Sequence, residues 1–410
     1  MLRKLSLAVA LAATLLPALA VPPGTEPYKL QALRDAARAS HPSLQAARAM
    51  VDAGRAQVTS AGAYPNPEVE FLAGRVQARV PGAATGGAQS LALSQRIDNP
   101  WQREARIGAA TSGLEARQAE GRSFEVDLLA RLDQRFFDLL RRQAEQRAAQ
   151  EDLSLAEQIR ARVAVRVQTG EAPRYELIKA DTELLNAQKA SESAILRVAQ
   201  ARAALRGLVG PSLPAEFEVE GVLANVPTVP GLDALRTEVV ARNPELARAQ
   251  AEVRRAERQL ELERLRRHPE LAVKVTEDRD VEQNNTRIGV MATVPLWDQR
   301  RGQVAEAGAL LQKSRSDRDS QELSLLQALE ASYRHYEIAR NQVNALENGI
   351  LREAEAALKV AEAAYRFGER GILDYLDAQR VFRAARNELI AARYELQLAV
   401  IEIERLRAAQ

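Results

Sequence analysis

Proline sets the limits on what this chain can fold into. None occurs between Pro100 and Pro173, and none after Pro295. Because proline breaks helices, its absence from long, charged, heptad-like stretches predicts unbroken helices there. One would span Trp101 to Val167 and another Trp297 to Arg366, each roughly 100 Å long at about 1.5 Å per residue. Helices of that length demand a coiled coil or bundle rather than a globular core. The end of the chain states the packing most clearly. Phe382, Leu389, Leu396 and Ile403 recur in heptads, with Ala385, Ala392, Ala399 and Leu406 offset by three. That is a narrow coiled-coil seam, and alanine in half of it lets a partner helix approach closely.

The second organising fact is repetition. Residues 21–230 and 231–410 share one order: short helices, β-hairpin, very long helix, turn, long helix. Asn243-Pro244-Glu245-Leu246 echoes His41-Pro42-Ser43-Leu44, and Ser40 is the candidate cap of the helix that follows it. The first repeat places its hairpin at 67–98, its long helices at 101–167 and 174–209, and a Pro-rich linker at 210–230. The second places them at 270–296, 297–366 and 372–408.

Within the hairpins, apolar and small or polar residues alternate. Leu91, Leu93 and Ile97 oppose Ser90, Ala92, Ser94 and Arg96; Leu271, Val273 and Val275 oppose Ala272, Lys274 and Thr276. Ile288, Val290, Ala292, Val294 and Leu296 oppose Arg287, Gly289, Met291 and Thr293. Strands of about 10 residues suit a tilted membrane-spanning β-strand. An open sheet cannot sit in lipid, because its edge hydrogen bonds would go unsatisfied. The chain must therefore oligomerise to close a barrel. A periplasmic coiled-coil protein with incidental hairpins would leave the duplicated hairpins without a purpose.

Residues 1–20 read as a secretory signal: Arg3 and Lys4, an apolar run from Leu5 to Leu16, then Ala18-Leu19-Ala20. No stretch is long and apolar enough for a membrane-spanning helix. There is no cysteine, which excludes disulfides, thiolate metal sites and a catalytic thiol. The signal carries two of the 57 basic residues and no acidic one, leaving 55 basic against 55 acidic. That balance, without a basic patch, argues against a nucleic-acid partner. No nucleophile elbow or phosphate loop points to an enzyme. His41, His268 and His335 are scattered over different elements, so no metal site or cofactor is expected.

Between the last two helices, Gly368 and Gly371 interrupt the pattern, and Asp374 and Asp377 follow at a spacing that puts both carboxylates on one helix face. The stretch from Tyr365 to Ala378, YRFGERGILDYLDA, resembles the second hairpin tip of the TolC-like outer-membrane factor family, and Gly170 to Ala180 is similar but looser. Leu93 to Ile97 and Thr293 to Trp297 resemble the family's strand-to-helix junctions, and the likeness covers essentially the whole mature chain. Asp98 to Arg106 is similar to the junction of the short, CzcC-like heavy-metal branch, although the lipid-bearing cysteine of many relatives has no counterpart.

The resemblance implies a mainly α protein with a small β part, a homotrimer with a 12-stranded barrel in outer-membrane lipid and a helical tunnel across the periplasm. It implies docking onto a periplasmic adaptor and an inner-membrane RND-type pump, with heavy-metal cations as cargo. Drugs or a secreted polypeptide are the alternative cargo, and the adaptor itself is the alternative role. Asp374 and Asp377 would form an acidic aperture ring, and Tyr365, Arg370 and Glu176 would link the aperture closed. Gly170, Glu171, Gly368 and Glu369 would meet the adaptor.

Overall fold

The computed structural model describes residues 27–210, 213–224 and 226–409, so the predicted signal at 1–20 and part of the Pro-rich linker lie outside the described residues. In the first repeat, α1 (Leu30–Ser40) and α2 (Pro42–Gly62) lead into β1 (Glu68–Val76) and β2 (Gly86–Ile97). Then come α3 (Pro100–Gln168) and α4 (Arg174–Val209). The second repeat follows with α5 (Leu232–Arg242), α6 (Pro244–Leu265), β3 (Glu270–Arg279) and β4 (Asn284–Thr293). It ends with α7 (Arg301–Ala345), a π turn (Leu346–Ile350), α8 (Leu351–Arg366) and α9 (Ile372–Arg407).

The proline-free stretches do become long helices. α3 has 69 residues, with Pro100 at its start, where a missing N–H costs nothing, and the Asn99 side chain accepting the Trp101 N–H. Three local expectations are corrected. The α2 cap is His41, whose ring accepts the Ser43 N–H at 3.3 Å; the Ser40 hydroxyl instead donates back to the Ala36 carbonyl at 2.9 Å. β4 stops at Thr293 rather than continuing to Leu296, because Pro295 has no N–H for a ladder. The helix after it starts at Arg301, not Trp297, with Arg300 left-handed at φ 53° and its N–H held by Asp298 at 2.8 Å. That helix is also not uniform. The π turn, with Arg393 of α9 donating to Glu347 at 2.5 Å, adds one residue to the winding where α3 has none.

The sheet is antiparallel in the order β1-β2-β3-β4, so β2 and β3 join the two repeats at its centre. Below it, α2, α3, α6 and α7 pack in a row. Farther down the row becomes α8, α9, α3 and α4. Two cores sit midway. In one, α1 and the linker's Leu213, Phe217 and Val219 cover Leu132, Phe136 and Leu205. In the other, α5 covers Leu329, Tyr336 and Val343 of α7 and the predicted α9 seam from Leu389 to Leu406.

Asp133, 1% exposed on α3, is held by a bidentate pair from Arg34 of α1, one bond of 2.8 Å and a second shorter one. Burial pushes the Asp133 carboxyl up from its ordinary range, and the guanidinium opposes that shift. Asp133→Ala would strand a mostly covered arginine. We expect a loss of about 2–3 kcal/mol, below the figure for a fully buried pair because Arg34 keeps some exposure. A lowered denaturation midpoint in detergent is the check.

Candidate functional site

The two hairpin tips are built alike. Gly170 and Gly368 adopt φ +81° and +75°, where a side chain would be strained. Each closes its helix in the same double bond pattern. Gly170 N–H donates to the Val167 carbonyl and Glu171 N–H to Arg166; Gly368 N–H donates to Tyr365 and Glu369 N–H to Ala364. Ile159 and Val163 of α3, Ala180 of α4, Tyr365 of α8, and Ile372 and Tyr375 of α9 fill a small core above the turns. Tyr365 stacks on Tyr375 with centroids 5.8 Å apart, and the Arg166 guanidinium covers the Tyr365 ring at 5.1 Å. Burial, reinforced by Glu362, raises the Tyr375 phenol above its ordinary value.

Asp374 lies in the first turn of α9, and Asp377 one turn on, both exposed. A helix N-terminus favours such carboxylates. Neither stands alone. Arg370 donates to Asp374 at 3.3 Å and Arg380 to Asp377 at 2.5 Å, along the same helix face. Within one protomer Arg370 therefore pairs with Asp374, not with Glu176. One Glu176 carboxylate oxygen and the Tyr365 hydroxyl are buried without hydrogen-bond partners among the described residues. So is the whole amide of Gln379, which is 1% exposed on α9. Arg380 was legible as an i, i+3 partner of Asp377; Gln379 carries no sequence signal, because burial there depends on how three helices meet.

At the other end, the strand register sorts the sheet into two faces. Phe71 pairs with Leu91, Leu93 with Val275, and Val275 with Ile288, so these, Val69 and Val290 share one apolar, exposed face, with half-buried Val273 on the same side. The opposite face carries Glu70, Ser90, Lys274, Asp278 and Arg287. Lys274 donates to Glu70 at 3.2 Å, and Ser90 and Arg287 both donate to Asp278. A sheet that is apolar outside and ion-paired inside is built to separate lipid from an aqueous lumen. Both outer strands are exposed along their length. Among the described residues, no helix is long and apolar enough to cross a membrane, and no group of three or more His, Asp or Glu could hold a metal ion.

Residues 33–211 and 235–409 match the family described as outer membrane efflux protein. The cobalt-zinc-cadmium resistance protein CzcC of Cupriavidus metallidurans is 28% identical over 382 residues, 93% of this chain and 90% of that protein. A membrane protein from Pseudomonas aeruginosa superposes with a TM-score of 0.79 at 19% identity, over 92% of each chain. The outer membrane protein VceC of Vibrio cholerae superposes at 0.77 and 19% identity, over 92% of this chain and 95% of that one.

Proposed function

This chain belongs to the outer membrane efflux protein family and is an outer-membrane channel with a periplasmic helical extension, and we propose that it is the exit duct of a heavy-metal efflux assembly. In that assembly an inner-membrane RND-type pump and a periplasmic adaptor deliver cations to the tips of α3–α4 and α8–α9. The cargo reading rests on one observation: the similarity to a cobalt-zinc-cadmium resistance protein along nearly the whole of both chains. The channel passes ions through a wet, charged lumen and coordinates none of them.

The working unit is a homotrimer. Its support is that all three levels of the chain are open strips with unpartnered ends. In the sheet these are β1 and β4, in the upper helices α2 and α7, and in the lower helices α4 and α8. Exposed apolar side chains stand along those ends, Ile178, Leu185 and Leu196 on α4 and Val360 on α8. Three copies joined end to end close twelve strands, within the even-numbered range of membrane barrels. The closed tube leaves no lipid-facing backbone edge. Arg370, Tyr365 and Glu176 then act as links at the aperture, Asp374 and Asp377 ring it, and Gly170, Glu171, Gly368 and Glu369 meet the adaptor.

The test is growth of a deletion strain on zinc, cobalt, cadmium, copper and silver salts beside detergents and dyes. Sensitivity confined to metals is the expected result. Sensitivity to detergents and dyes instead would make the protein a general exit duct and overturn the cargo assignment.

A further inference from the structure

The border between the sheet and the helices carries arginines that neither the lumen nor the tip uses. A cleft of about 300 Å³ lies there, lined by Ile97, Trp101, Leu271, Arg266 and the Arg106–Asp98 ion pair. Ile97 and Leu271 are register partners on the apolar face, so the cleft continues the lipid-facing surface. Around it the surface is strongly amphipathic. Trp297 is 94% exposed, and Trp101 and Leu296 are also open to the outside.

Charge is unbalanced at the same level. Glu263, largely buried, is the single carboxylate shared by Arg266 at 2.8 Å and Arg300 at 2.6 Å. Arg264 and Arg267, one and four residues after Glu263, are exposed and make no ion pair among the described residues. Among the described residues the Arg301 side chain donates only to the Gln299 side-chain carbonyl, at 3.0 Å. The end of α6 favours a cation in its last turn, which accounts for Arg264. It accounts neither for Arg267 and Arg301 nor for a tryptophan left almost wholly uncovered by the chain.

We propose that this belt binds the anionic phospholipid headgroups of the membrane leaflet that faces the periplasm. Tryptophan settles at the headgroup level, with its ring among acyl chains and its N–H toward water. A guanidinium presents paired N–H donors that match phosphate oxygens. The occupant is a lipid rather than a free anion because the unpaired arginines border the apolar barrel face and its aromatic rim. The inference rests on the sheet spanning the outer membrane.

The experiment is native mass spectrometry of the full-length oligomer in detergent, titrated separately with phosphatidylglycerol, phosphatidylethanolamine and inorganic phosphate. The variant is R264Q/R267Q/R301Q, with the triple lysine variant beside it. At roughly fivefold per basic residue near an anionic surface, the glutamine variant loses about 100-fold in phosphatidylglycerol affinity. Its phosphatidylethanolamine binding stays unchanged, and lysine restores most of the loss. Wild-type phosphatidylglycerol binding in the glutamine variant would overturn the proposal. So would displacement of the lipid by inorganic phosphate at equal concentration. Single-channel conductance of the variant reports separately on the barrel, so failure of the lipid belt is distinguishable from failure of the channel.

Discussion

Lysine at Ile288 is expected to abolish assembly of the protein in the outer membrane, while lysine at Met291 leaves assembly intact. The two positions lie on one strand, three residues apart, and therefore on opposite faces. Ile288 pairs with Val275 on the apolar side and is 77% exposed; Met291 pairs with Ala272 on the lumen side. A lysine facing lipid near the bilayer midplane costs about 2–4 kcal/mol, and a trimer repeats that cost three times, so about 6–12 kcal/mol. That is comparable with the whole stability of an ordinary domain. At Met291 the same charge meets water. The measurement is the fraction of each variant recovered as heat-resistant trimer from outer-membrane preparations. Equal recovery of the two variants would mean that the faces are wrongly assigned.

The second large effect is at the tip. D374N/D377N keeps side-chain shape and removes negative charge from the aperture. From sequence alone this predicts a loss of cation preference. The structure sharpens the expectation, because Arg370 and Arg380 lie against those carboxylates and remain after the change. Exposed pairs of this kind hold each other by no more than about 1 kcal/mol. The wild-type carboxylates can therefore still face an ion in transit, and the double variant leaves a ring of unopposed guanidinium groups. We expect selectivity to reverse, from several-fold for cations to several-fold for anions, in bilayer recordings under a salt gradient. R370Q/R380Q should shift it the opposite way. Unchanged reversal potentials in both variants would sink the acidic-ring assignment.

Much of this was legible in the sequence because its signals are periodic. Proline spacing located the long helices, heptads located the α9 seam, and alternation sorted Leu91 from Ala92 and Ile288 from Gly289. Glycine at 170 and 368 marked turns that require positive φ. The features that were missed are those fixed by contacts between elements. His41 caps α2 in place of Ser40, because α1 runs through Ser40 and only His41 has the extended backbone a cap needs, against the preference for serine. Arg300 turns left-handed because Asp298 and buried Glu263 hold both its backbone and its side chain. Arg370 and Asp374 stand four residues apart, a spacing the sequence already shows, but that Glu176 is not the partner within one protomer depends on where the α4 and α9 ends sit. Orphaned Gln379 and Tyr365 atoms arise where helices from both repeats converge, which no local pattern encodes.

The π turn at Leu346–Ile350 has a consequence for how one helix meets different neighbours along its length. A coil whose seam must face one neighbour near the membrane and another near the tip is normally locked in phase throughout. One added residue rotates everything below it by about 100°, so the face that α7 turns to α6 and α9 differs from the face that α8 turns to α9. One helix thereby serves two neighbourhoods, packing between α6 and α9 above the turn and against α9 below it, without a break in its backbone.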